Sequence, residues 1–230
     1  MNQYPETGVF TGQDVQAQQL QISKVLRNTY MLLSMTLAVS AVAAVISMMI
    51  GLPRIAALGM MLASLGLIWF VLPRTANSTT GVWVVFGFTA LLGASLGPTL
   101  NYYLAMANGG LIVTQALGTT AAVFLTLSGY VLVTGKNFNF LGGFLFTGLI
   151  VAIVSLLAFW IAGMLGFYVP GVFLAINAMI ALLMCGFILY DTSRIVNGGE
   201  TNYLMATTAL YLDIYNLFAS LLHLFGMADD

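Results

Sequence analysis

The sequence predicts an all-α integral membrane protein, a bundle of seven transmembrane helices with the C-terminal helix at its centre. Three observations predict it. Of 230 residues, 60% are hydrophobic and only 6% are charged, whereas a soluble domain keeps roughly 25% charged residues to face water. Seven apolar runs recur along the chain, each close to the ~20 residues that cross the hydrocarbon core of a bilayer. The seventh run alone carries a continuous polar stripe, and such a stripe must face protein or a water-filled path rather than lipid.

Residues 1–22 are polar and Gln-rich, with Glu6 and Asp14 and no apolar core. They read as a flexible, solvent-exposed tail rather than a signal peptide, which leaves 23–230 as the membrane domain. The runs follow as Tyr30–Ile50, Ile55–Leu72, Val82–Leu100, Gly110–Thr134, Phe140–Met164, Gly171–Tyr190 and Leu204–Phe225. Turn formers separate them: Gly51-Leu52-Pro53, Pro73 to Thr80, Asn108-Gly109, Gly135-Lys136-Asn137, Val169-Pro170 and Asn197-Gly198-Gly199. Strands of a membrane barrel would alternate polarity over about 10 residues, and no run does so.

Lys24, Arg27, Arg74, Lys136 and Arg194 fall on the N-terminal side of the predicted spans, against Arg54 alone on the other. The positive-inside rule then places the N-terminus in the cytoplasm and, after seven spans, the C-terminus outside. A net charge of −1 offers no basic patch for nucleic acid. Cys185 has no partner for an intrachain disulfide, and with His223 as the one histidine neither a zinc cluster nor a Ser-His-Asp constellation can be assembled. No catalytic or cofactor site is expected. Gly93 and Gly97 form a GxxxG pattern that suits either internal helix packing or a dimer face.

A carboxylate within a span costs roughly 2.5 to 3.5 kcal/mol on insertion scales, so each one needs a reason. Asp191 ends the sixth run and Asp213 sits in the middle of the seventh, 22 residues apart around a turn near Gly199 to Asn202. In an antiparallel hairpin rising about 1.5 Å per residue, that spacing puts both at similar depth. Asp213, Asn216, Ser220 and His223 share one face of the seventh helix, and Asn177 shares a face of the sixth with Asp191. Two carboxylates in contact titrate as a coupled unit. Protonated, they share a hydrogen bond and hold their helices together; fully ionised, they repel or accept a hard cation such as Ca²⁺ through oxygen ligands. The alternative is separate roles, with Asp191 capping at the interface and Asp213 bonding a neighbouring helix. Arg74, at the end of the second run, and Arg194, three residues after Asp191, are the candidate counter-ions.

Three stretches resemble the Bax inhibitor-1 family. They are Lys24-Val25-Leu26-Arg27-Asn28-Thr29-Tyr30, Phe138-Asn139-Phe140-Leu141-Gly142-Gly143, and Gly198 to Tyr203 continuing into Leu210-Tyr211-Leu212-Asp213-Ile214-Tyr215-Asn216-Leu217-Phe218. The resemblance runs from Lys24 onward and implies a seven-helix fold with a central last helix. It implies a pH sensor at Asp191, in Tyr190-Asp191, and Asp213, governing a calcium leak, with Arg74 as the nearest match to a basic partner on the second helix. Through the bacterial members it implies residence in the inner membrane and modulation, by inhibition, of the FtsH membrane protease, for which residues 1–21 would be the handle. An intramembrane aspartyl protease of presenilin layout is a further reading. That layout places Gly-x-Gly-Asp where this chain has Tyr211-Leu212-Asp213.

Overall fold

A computed structural model of the chain describes residues 12–167 and 169–228. Among them, seven helical segments are long and apolar enough to cross a membrane: Gln19–Met49, Arg54–Thr75, Thr79–Leu104, Gly109–Thr134, Asn139–Met164, Pro170–Val196 and Tyr203–Ala228. Number and order match the seven apolar runs; several ends agree to within a residue, as at Thr134 and Met164, while the first, third and sixth helices run further than their apolar stretches.

The first helix, α1 (Gly12–Met49), shows this most. Of residues 1–22, expected as a flexible, solvent-exposed tail, those from Gly12 on are helical, while 1–11 lie outside the described residues. The Gln, Ala, Leu and Val residues preceding Lys24 carry no helix breaker, so the turns nucleated in the span propagate outward.

The second span is α2 (Arg54–Gly66), a single π-helical turn (Leu67–Val71) and α3 (Leu72–Thr75). Pro73 was expected to end this segment, yet it lies inside it. Proline has no N–H to donate and its ring crowds the preceding turn; the wider π turn just before it relieves both. The third span breaks in the middle. The helix α4 (Thr79–Ser95) stops at Leu96, and α5 (Gly97–Leu104) restarts with Pro98 in its first turn, where a missing N–H costs nothing. The fourth span is α6 (Gly109–Thr134), closed by Gly135 at φ 62°. A 3-10 turn at Asn139–Leu141 leads into α7 (Gly142–Met164).

The last two spans, α8 (Pro170–Val196) and α9 (Tyr203–Ala228), form an antiparallel hairpin. A Schellman turn ends α8: Gly198 takes φ 72°, its N–H reaches the Ile195 carbonyl at 3.2 Å, and the Gly199 N–H reaches that of Arg194 at 2.7 Å. Asn202 then caps α9, its Oδ1 accepting the N–H groups of Leu204 and Met205 at 2.9 and 3.2 Å.

The seventh span is the centre of the bundle. Its most apolar stretch is 50% buried by protein against 11% for the fifth, and α9 packs on α1, α4, α6 and α8, whereas α7 leans on α8. Close approach of α1 to α4 and α5 settles the role of the glycine pair. A Cβ on Gly93 would stand 2.2 Å from the Ser40 carbonyl oxygen, and one on Gly97 would stand 2.0 Å from Ser47 Oγ. The glycines are internal packing surfaces for α1, not a free dimer face.

Candidate functional site

Asp191 lies within α8, five residues before its end at Val196, and Asp213 lies ten residues into α9. Counted from those two helix ends, helix rise alone would offset their Cα atoms by about 7 Å. The side chains make up the difference. Each Cα–Cβ bond tilts toward its helix N-terminus, so Asp213 leans back toward the α8–α9 turn and Asp191 leans away from it. In antiparallel helices those tilts converge, and the two carboxyl groups come within hydrogen-bonding reach.

The pair is secluded. Asp191 is 8% and Asp213 5% exposed, and Asp213 Oδ2 is a fully buried oxygen with no hydrogen-bond donor. A hydrogen bond between two carboxyl groups requires one of them to carry a proton. With both ionised, two negative charges would face each other where little solvent screens them. The arrangement can therefore hold or release a proton with a mechanical consequence for the α8–α9 contact.

Of the two candidate counter-ions, the structure brings one to the pair. Arg194, one turn along α8, has Nη1 3.7 Å from Asp191 Oδ1. It also donates from Nη2 to Glu200 Oε2 at 3.1 Å. Arg74 stands apart: it is exposed and its Nη1 donates to the Phe70 carbonyl of its own helix segment. The π turn carries the helix past Pro73, so Arg74 stays on that helix's last turn instead of swinging to α8.

The remaining stripe residues are not joined to the pair. The Asn216 amide donates to the Leu212 carbonyl at 2.8 Å, one turn back on its own helix. Ser220 is buried deeper along α9. His223 Nδ1 is 2.7 Å from the Tyr103 hydroxyl and its ring meets Phe173 edge-on, at the far end of the bundle. Asn177 is buried too, its amide donating to the Phe173 carbonyl, about 21 Å along α8 from Asp191. Among the described residues no group of three or more His, Cys, Asp and Glu side chains comes together, and Ca²⁺ takes six to eight oxygen ligands.

Two features escaped sequence reasoning. One is Glu200 as a second acid on Arg194, for which the signal was the tight Gly198-Gly199 turn folding Glu200 back. The other is a hydroxyl chain across three helices: Tyr30 of α1 bonds Ser128 of α6, which accepts from Thr192 of α8 at 3.3 Å. On α9, the Tyr211 hydroxyl is shared with Ser40 Oγ at 2.7 Å and the Thr89 carbonyl at 3.2 Å. Tyr215 reaches Ser95 at 3.2 Å. Isolated hydroxyl residues carry no pattern that reveals such partners.

Six spans around a central polar seventh, with an acid pair between the last two, define a multi-pass membrane protein with a buried ionisable site. Residues 22–230 match the family model described as inhibitor of apoptosis-promoting Bax1, and the chain belongs to that family, the Bax inhibitor-1 family. It is 48% identical over 224 residues to an uncharacterized membrane protein of Vibrio cholerae, covering 97% of this chain and 98% of the relative. It is 44% identical over 211 residues to the modulator of FtsH protease YccA of Escherichia coli K12, covering 91% of this chain and 92% of that protein. A Pseudomonas aeruginosa protein is also 44% identical, over 212 residues.

Proposed function

We propose that this chain is a modulator of the FtsH membrane protease, which it binds and inhibits in the bacterial inner membrane. The observation that supports this most is the 44% identity to the Escherichia coli modulator, which extends over nine-tenths of both chains. In this reading the N-terminus and the α8–α9 turn face the cytoplasm, with the C-terminus in the periplasm, as the distribution of Lys and Arg favours.

The length of α1 fits a role as a handle. Its 38 residues extend about 57 Å, against roughly 30 Å of hydrocarbon. The excess carries the exposed, polar Gln19 and Gln21 out of the bundle. Residues 1–21 would then be what FtsH grips. Capture of FtsH from membranes by the full chain, compared with a variant lacking residues 1–21, tests this. Binding should fall with the truncated chain, and equal capture by both would reject the handle.

The buried acid pair favours a second, compatible reading: a pH-regulated cation leak gated by Asp191 and Asp213, with Ca²⁺ as the permeant ion. Ca²⁺ flux into liposomes carrying Asp191→Asn/Asp213→Asn should lose its pH dependence. Flux that keeps the unaltered pH profile rejects the gate and leaves the FtsH reading standing.

A further inference from the structure

Arg194 stands between two acids. Its Nη2 contact to Glu200 is 3.1 Å and its Nη1 contact to Asp191 is 3.7 Å, so Glu200 holds the closer grip. The guanidinium also lies over the Tyr190 ring at 5.7 Å. These groups are partly shielded from solvent, with side chains 33% (Arg194), 11% (Asp191) and 20% (Glu200) exposed. Competition between the two acids is therefore not erased by screening. Glu200 in turn holds the loop: its Oε1 accepts the Asn202 N–H at 2.9 Å. The Asn202 side chain caps α9 and donates to the Ala76 carbonyl and Asn77 Oδ1 at 2.9 and 3.0 Å.

We propose that Glu200 is a positioning residue. By competing with Asp191 for Arg194, it couples the α8–α9 loop to the proton held between Asp191 and Asp213. With that proton in place the acid pair presents one negative charge to Arg194, and Glu200 presents one as well. With the proton gone the pair presents two, and its attraction for Arg194 grows by Coulomb's law. Arg194 then closes its longer contact into a direct, forked pair with Asp191, and Glu200 loses its cation. The loop between Val196 and Tyr203 is freed at that moment.

The charged and titratable groups on the neighbouring elements leave this competition intact. The helices α4 to α7 contain no Lys, Arg, Asp or Glu; Lys24 and Arg27 of α1 are exposed, and Arg74 of α3 is exposed and donates to the Phe70 carbonyl. Tyr30, Tyr211 and Tyr215 place their hydroxyls on Ser128, Ser40 and Ser95. Lys136 donates to Tyr130 at 2.6 Å, and His223 is held by Tyr103 at the other end of the bundle.

The inference rests on the acid pair acting as a proton switch, and one experiment separates the two. A nitroxide at Thr201→Cys, in the full chain with Cys185→Ala and in lipid vesicles, reads loop mobility between about pH 5.5 and about pH 9, above the ordinary glutamate range. Otherwise unaltered protein should pass from an immobile to a mobile label in one transition. Asp191→Asn should keep the label immobile throughout, since Arg194 is left to Glu200. Glu200→Gln should keep it mobile throughout, and Glu200→Asp should restore the transition, which a merely structural role would not require. A Glu200→Gln variant that keeps the transition overturns the role of Glu200 while the switch stands. A transition that persists in Asp191→Asn overturns the coupling, and a label unresponsive to pH in the parent protein overturns coupling and switch together.

Discussion

Replacing Gly93 with alanine should drive α1 and α4 apart, and the coordinates give the size of the effect. The new Cβ would lie 2.2 Å from the Ser40 carbonyl oxygen, 2.6 Å from its Oγ and 2.7 Å from its Cα. Ordinary C···O contact begins near 3.3 Å, so the helices must separate by roughly 1 Å. Two of the three obstructing atoms are backbone, and no rotamer change moves them. Overpacking of this kind costs about 1–3 kcal/mol. The same shift stretches the 2.7 Å bond between Ser40 and Tyr211, a further loss of about 0.6 kcal/mol on the scale of interhelical bonds in membranes. Alanine regains about 1 kcal/mol of helix propensity over glycine, so the net loss is about 0.6–2.6 kcal/mol. For a chain of this size that is a fall in Tm of roughly 1–10 °C. Gly129 is the control. It also lies inside a helix, yet a Cβ there meets nothing within 4 Å, so Gly129→Ala should hold or raise the Tm. A thiol-reactive dye follows both melts through Cys185, the single cysteine. If Gly93→Ala melts at or above Gly129→Ala, the close-approach reasoning is wrong. If it leaves the melt unchanged but alters oligomeric state, Gly93 belongs to a dimer face after all.

Three other outcomes follow from named contacts. Tyr211→Phe removes the hydroxyl that joins α9 to Ser40 of α1 and Thr89 of α4. Two interhelical bonds at about 0.6–1.7 kcal/mol each predict a loss of about 1–3 kcal/mol in the same melting assay. Asn202→Ala takes away the α9 cap and the tie to Ala76. It should cost about 1 kcal/mol and accelerate amide hydrogen exchange at Leu204 and Met205. Arg74→Ala should leave exchange at the Asn202 amide within about 0.5 kcal/mol of the parent, whereas Arg194→Ala should speed it by withdrawing the cation that anchors Glu200.

Much of the architecture was legible before any coordinates. Hydropathy is a sum over local residues, and crossing a bilayer depends on little else, so seven runs gave seven spans. Span ends were most legible at turn formers, as at Gly135 and Pro170. At Pro73 the rule misled, because one π turn absorbs what a regular helix cannot. In the candidate site, Asp191 and Asp213 stood out through the cost of placing carboxylates in lipid, and Arg194 through its place one turn along the same helix.

Composition and periodicity by themselves determined the solvent, the number of crossings and which acids face inward, since each follows from the free energy of moving a side chain out of water. Tertiary structure alone decided which partner each inward group meets. Arg74 satisfies a carbonyl of its own helix, Glu200 folds back onto Arg194, and Gly93 receives Ser40. Those outcomes depend on distances of a few ångströms between segments far apart in the chain. Helix crossing sets such distances, and no local pattern encodes them.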